Sequence, residues 1–253
     1  MSSETSLTVK AENYVSKFSF LDSSLIRFDR IHRFPSSITE IDVLPGLWSI
    51  AIGSPDPGQL SVSTEDGPFA IVGPHMVFIP PFSIINWDVS PGLFEFTALI
   101  GLSDLPSDVP KVPFIAIHET GLIPESTEEA IQLVRSKSER IFIRQQQSVS
   151  VVAQKMKIFI DENYHKRLSI AEIAKKLGYS HSFLSRTFKA SYGLSINEYR
   201  TKLRLFDAQF LLLSKSPQVA SAGFASGFSD QGRFHKQFRR LFHARPSQFR
   251  PEK

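Results

Sequence analysis

The sequence predicts an α+β chain, with a β-rich N-terminal half followed by an all-helical C-terminal half. Three observations predict it. Thirteen of the 16 prolines lie at or before Pro124, and proline suits turns and strand edges while breaking helices. Charge divides at the same region: residues 1–148 carry 10 Lys and Arg against 18 Asp and Glu, whereas residues 149–253 carry 19 against 7. The overall charge of +4 therefore hides an acidic half and a basic half. Finally, a phrase is written twice, as GYSHSFLSRTFKASYG from Gly178 and as GFSDQGRFHKQFRRLFH from Gly227. A repeated phrase predicts a repeated structural unit.

The first region, residues 1–122, reads as strands. From about Leu25 to Ile117 short apolar runs such as LWSIAIG, PFAIVG, MVFIPP and LFEFTALIG alternate with turn residues. Their β-branched and aromatic content predicts an antiparallel sandwich or barrel. Phe94, Phe96 and Ala98 alternate with Glu95 and Thr97, the pattern of a half-buried strand. No apolar run reaches the roughly 18 residues of a membrane span, and MSSETSLTVKAENYVSK lacks the pattern of a secretory signal. These features suit a cytoplasmic protein. The chain has no cysteine, which excludes a disulfide framework, a thiolate metal site and a cysteine nucleophile.

Residues 123–150 form a connecting segment. Acidic residues come early in STEEAIQLVRSKSERIFIRQQQ and basic residues later, as a helix dipole favours. The segment predicts one or two helices from Ser126 to about Gln146. Ile131, Val134 and Ile141 would face either the β half or a second subunit, making this a candidate dimerisation segment. QQQSVS, from Gln145, reads as a joint.

Residues 151–253 read as closely spaced helices. VVAQKMKIFIDENY is one. Ser169 followed by Glu172 is a capping box. Gly178 is placed to end that helix in the left-handed conformation, and Ser180 to cap the next. A helix near Ile170–Leu177, a glycine turn and a helix near His181–Ser191 make a helix-turn-helix. Leu184 and Phe188 fall on its inner face, and Ser182, Ser185, Arg186 and Lys189 on its outer face. The second phrase repeats this with one inserted residue. Ser229 or Asp230 would cap its helix, with Gln231, Arg233, Lys236 and Arg240 facing outward. Between the units, Ser195 and Glu198 form another capping box, and Tyr199, Leu203, Phe206, Phe210 and Leu213 recur at helical spacing. A helix of about 20 residues is roughly 30 Å long, near the 34 Å or so that separates successive major-groove faces. Two such units could thus read two grooves of one duplex.

On LSIAEIAKKLGYSHSFLSRTFKASYGLS, INEYRTKLRLFDAQFLL and GFSDQGRFHKQFRRLFHARPSQFR, the C-terminal hundred or so residues resemble the DNA-binding domain of the AraC/XylS (arabinose-regulator) transcription factors. The resemblance covers about two fifths of the chain. It departs from the family pattern at His243, where glycine is usual, at Ala222 and Gly223, and at Gly232. It implies a transcription regulator of promoter or operator DNA, commonly an activator, with RNA polymerase as a partner; a homodimer through the connecting segment is a further candidate. Carried over by position, Ser182, Ser185, Arg186, Gln231, Arg233 and Lys236 are the base-contacting candidates. Lys189, Arg239 and Arg240 are the phosphate-contacting ones. Arginine can bind guanine O6 and N7 through two hydrogen bonds, whereas phosphate contacts position without reading sequence.

The resemblance further implies a cupin-like sensor barrel in the first region, controlled by a small-molecule effector or by a protein partner. GPHMVFIPPFSIINWD resembles a cupin strand-turn-strand. Of the histidines available, His32, His75 and His118 are widely separated in sequence, so no metal, cofactor or catalysis is expected. A cupin-type enzyme fused to a DNA-binding domain is the weaker alternative. Trp48, Phe78, Phe82, Trp87, Phe94 and Phe96 are candidates for an effector pocket or for plain core.

Overall fold

The computed structural model describes residues 6–64, 66–118, 122–143, 149–215 and 217–251. The chain divides into two compact units, one of residues 1–145 with the terminal residues 251–253, and one of residues 146–250.

The first unit is built from two antiparallel sheets and one helix. Strands β1 (Ser6–Lys10), β2 (Tyr14–Phe20), β3 (Leu25–Phe34), β5 (Trp48–Gly53), β8 (His75–Ile79), β10 (Gly92–Gly101), β11 (Phe114–Ile117) and β12 (Ile141–Phe142) form one sheet, in the order β1-β2-β3-β10-β5-β8-β11-β12. Strands β4 (Ile38–Val43), β6 (Leu60–Thr64), β7 (Gly67–Ile71) and β9 (Ile84–Val89) form the other, in the order β4-β9-β6-β7. The strands begin earlier than expected, since β1 and β2 precede Leu25 and extend the edge of the larger sheet.

Alternation decides which residues face where. One core joins Val77, Ile79 and Ile115 of the larger sheet to Leu60, Val62, Ile71, Ile85 and Val89 of the smaller. Another, on the opposite face of the larger sheet, gathers Trp48, Ile50, Met76, Phe78, Leu99 and Phe114 under Ala130 and Val134 of helix α1 (Thr127–Ser136). Covered on both faces, β8 is buried along its whole length, which is why its apolar run is continuous rather than alternating.

The connecting segment departs from the expected helices to Gln146. Ser126 caps α1 by accepting from Glu129 N, and the helix ends at Ser136. Ile141 and Phe142 then pair with Ile115 and Phe114 of β11. The cause is in the composition: KSER offers no apolar residue for a further helical turn to bury, whereas sheet pairing buries Ile143 to 3% exposure. Val134 and Ile131 pack against the β half, and Ile141 remains 40% exposed. The remainder of that prediction, from residue 144, lies outside the described residues.

The second unit holds helices α2 (Val151–Asn163), α3 (Ile170–Leu177), α4 (His181–Tyr192), α5 (Ile196–Lys215), α6 (Val219–Ala225) and α7 (Gln231–Phe242), and a final 3-10 turn at Pro246–Phe249. Among the described residues no helix is long and apolar enough to cross a membrane. Helix α5 is buried over a wider arc than one stripe. Leu205, Ala208 and Leu212 are buried alongside Tyr199, Leu203, Phe210 and Leu213. It feeds two cores at once: Tyr199 meets Phe188 of α4 at 5.6 Å between ring centres, and Phe206 meets Phe242 of α7 at 5.3 Å.

Candidate nucleic-acid interface

Each repeated unit is a helix, a glycine turn and a twelve-residue helix, and the turns are hydrogen-bonded alike. After α3, Gly178 is left-handed at φ 75°, and Tyr179 N donates to Ala174 O at 3.1 Å. After α6, Gly227 has φ 95°, and Phe228 N donates to Gly223 O at 3.0 Å. The inserted residue falls between that glycine and the next cap. Ser180 caps α4 by accepting from Phe183 N, and Asp230, not Ser229, caps α7 by accepting from Arg233 N. From there the correspondence runs at a constant offset to the end. Gly193 and His243 are both left-handed C-caps. Ser195 N donates to Glu198 Oε2 at 2.7 Å, and Arg245 N to Gln248 Oε1 at 2.8 Å. Tyr199 on Phe188 is matched by Phe249 on Phe238, at 5.6 and 5.4 Å. The terminal 3-10 turn is therefore a one-turn copy of the start of α5, a repeat that SINEYR and RPSQFR carry in faint form.

The outer faces are basic. On α4, Ser182, Arg186 and Lys189 are exposed and Ser185 is half-buried; Leu184 and Phe188 are buried. On α7, Arg233, Lys236, Arg239 and Arg240 are exposed, while Phe234, Phe238 and Phe242 are buried. Neither helix contains a carboxylate. Gln231 is half-buried, and its Nε2 donates to Ala220 O of α6 at 3.1 Å. Its amide holds the unit together as well as facing outward. Gly232 leaves open surface, where an added Cβ would meet only Asp230 Oδ1 at 3.4 Å. Sequence reading passed over Phe183, which is 40% exposed beside Ser182 and rests on Tyr179 with ring centres 5.6 Å apart. Its place one turn before Arg186's neighbours was the available signal.

The aromatic pocket candidates do not come together. Trp48 and Phe78 are fully buried under α1. Trp87 and Phe94 pack on the core between the sheets, with Phe94 stacked on Phe96 at 5.3 Å. Phe82 sits in the turn before β9 with φ 59°. Trp48 lies directly over Gly101, where any Cβ would be 1.8 Å from its ring, and its Nε1 donates to Ser103 O at 3.0 Å. A cationic group, Arg30 of β3, lies among the aromatic residues on the face toward the smaller sheet. Its Nε donates to Ser16 Oγ at 2.8 Å, and its guanidinium lies 4.3 Å from the Tyr14 ring centre, in the field of Asp42 and Glu40.

Of the histidines, the fold brings two together that the sequence separates. His75 pairs with Ile117, and His118 N donates to Pro74 O at 3.2 Å. Burial lowers the pKa of both. His32 lies on β3, stacked on Phe34 at 4.0 Å. Among the described residues, no three His, Cys, Asp or Glu side chains gather as a metal site.

Comparison with known proteins agrees with this geometry. Residues 173–252 match the family model described as a helix-turn-helix domain. The Msm operon regulatory protein of Streptococcus mutans is 36% identical over 105 residues, which is 42% of this chain and 38% of that protein. The lactose operon transcription activator of Staphylococcus xylosus is 29% identical over 129 residues, 51% of this chain and 46% of that one. Residues 173–252 are thus an AraC-type helix-turn-helix domain of the kind found in transcription regulators. It spans less than half the length of either curated relative. ToxT of Vibrio cholerae, solved with an unsaturated fatty acid bound, matches over 90% of this chain and 95% of its own, with a TM-score of 0.54 and 13% identity. That likeness is one of fold, and it extends to the sheet-rich unit.

Proposed function

We propose that the chain is a transcription regulator that binds promoter or operator DNA by placing α4 and α7 in successive major grooves. The carrying observation is the pair of twelve-residue helices at a constant offset, each turning a face without carboxylates to solvent. In this reading Ser182, Ser185, Arg186, Gln231, Arg233 and Lys236 face bases, and Lys189, Arg239 and Arg240 hold phosphates. Phe183 joins the first set, because an exposed ring suits the thymine methyl group. The chain works as a binding protein rather than an enzyme, and RNA polymerase is its downstream partner. Activation is supported by the lactose operon activator among its relatives. The two facing sheets act as a cupin-like sensing unit. The fatty acid in the ToxT structure supports a small-molecule effector over a protein partner.

Selection of random duplexes by the full-length protein tests this. Two short motifs about one helical turn apart are expected, and no enrichment of any sequence would sink the reading. On the selected site, Arg186→Ala should cost about 1–3 kcal/mol and relax one base position. An equal loss on every sequence would reassign Arg186 to a phosphate.

A further inference from the structure

The segment between α2 and α3 is held by an arginine pair one turn apart on α5. Arg204 Nε donates to Tyr164 O at 2.6 Å, and its Nη2 to Lys166 O at 2.9 Å. Arg200 Nη1 donates to Leu168 O. Asp207, three residues beyond Arg204, accepts from the Tyr164 hydroxyl. Three alternate carbonyls of residues 164–168 are thus turned onto one helix, immediately before the first helix-turn-helix begins.

The second unit meets this same place through its glycine turn. A Cβ on Gly227 would lie 2.4 Å from His165 O and 2.9 Å from Arg204 Nε. Only glycine allows that approach, and its φ of 95° is a conformation side chains disfavour. Gly178, the equivalent turn of the first unit, has nothing within 4 Å of its added Cβ. The repeat therefore breaks its symmetry here, where the turn of one unit abuts the backbone leading into the other, with a guanidinium beneath both. The site holds cations close together. Burial, with Arg200, Arg233 and Arg167 adding, lowers Arg204 to about 10. The carbonyl oxygens of Tyr164 and Lys166 accept its hydrogen bonds, so the group acts as a fork that fixes geometry.

We propose that Arg204, with Gly227, is the joint that sets the separation of the two recognition helices, and so the half-site spacing the protein accepts. Arg204 is a positioning residue. Two reading heads on one chain gain affinity by linkage only while their geometry lets both engage together. This inference rests on the two-groove reading of α4 and α7, and the experiment separates the two.

The chain has no cysteine, so His181→Cys with His235→Cys places one spin label on each recognition helix of the full-length protein. Pulsed dipolar spectroscopy should give one narrow distance in this background. Adding Arg204→Met should broaden it, and Arg204→Lys should broaden it less, since an ammonium keeps the charge and hydrogen-bond donors but lacks the rigid planar fork. An unchanged distance in both variants overturns the proposal; if Arg204→Met fails to fold, Arg204→Lys alone decides in the same way. On duplexes with the two selected half-sites at stepped spacings, the unlabelled wild-type sequence should peak at one spacing. Arg204→Met should flatten that peak, with about a tenfold loss at the preferred spacing and almost none on a single half-site. A sharp peak retained in Arg204→Met overturns the proposal. A broadened distance in a protein whose wild type reads only one half-site would uphold the joint and sink the two-groove reading instead.

Discussion

His243 ends α7 in the left-handed conformation at φ 48°, where Gly193 ends α4 at φ 74°. A side chain there clashes with its own backbone at a cost of about 1–2 kcal/mol, partly offset because glycine loses more freedom on folding. His243→Gly should therefore stabilise the second unit by about 0.5–1 kcal/mol, raising its Tm by roughly 4 °C. An unchanged or lower Tm in thermal denaturation would show that the imidazole makes a compensating contact. The departure at His243 was visible in the sequence, and its conformational cost follows from position alone. The reasons for Gly223 and Gly101 were not visible. A Cβ on Gly223 would meet the buried Phe234 ring at 2.9 Å, and one on Gly101 would enter the Trp48 indole. Such glycines answer to residues distant along the chain, so no local pattern announces them.

Capping separates the first helices of the two units. Ser169 and Glu172 close a full capping box on α3, whereas Gln218 stands before α6 with no side-chain cap. Gln218→Asp should add that bond and a favourable dipole interaction, worth about 1 kcal/mol. Amide exchange over Val219–Ala225 should slow accordingly; unchanged exchange would mean that α6 is already held by packing on α5. Elements with local signals were legible. The glycine turns, the caps of α3 and α4 and the length of α5 follow from residues within a few positions of each boundary. Elements decided by distant partners were not. The helix expected through Gln146 stops at Ser136 because β11 offers Ile141 and Phe142 a strand partner. Half of the buried arc of α5 escaped a single-stripe reading, because that helix lies against both helix-turn-helix motifs. The aromatic residues of the first unit showed that it has a core, but alternation sends Trp48 and Phe78 to one side of the larger sheet and Phe94 to the other, where Trp87 of the smaller sheet packs.

At the scale of the whole molecule, the charge division becomes a measurable property of binding. Helices α4 and α7 expose six cations between them: Arg186, Lys189, Arg233, Lys236, Arg239 and Arg240. If all six approach DNA, each phosphate neutralised releases condensed counterion, and log affinity falls with log salt at about 0.9 per contact. With Lys189, Arg239 and Arg240 on phosphates the slope should be about −3, and it reaches about −5 only where all six cations meet phosphates. The acidic first unit adds little to this quantity unless it also approaches the duplex, since the slope counts ions displaced from DNA rather than net charge. Replacing Lys236 and Arg239 together with glutamine tests the apportionment. If Arg239 holds a phosphate and Lys236 a base, the slope should shrink by about one and one base position should lose its preference. If both hold phosphates, the slope should shrink by about two with the selected sequence unchanged. A nearly flat salt dependence in the parent protein would mean that these faces do not lie on the phosphate backbone, and the double-groove arrangement would fall with it.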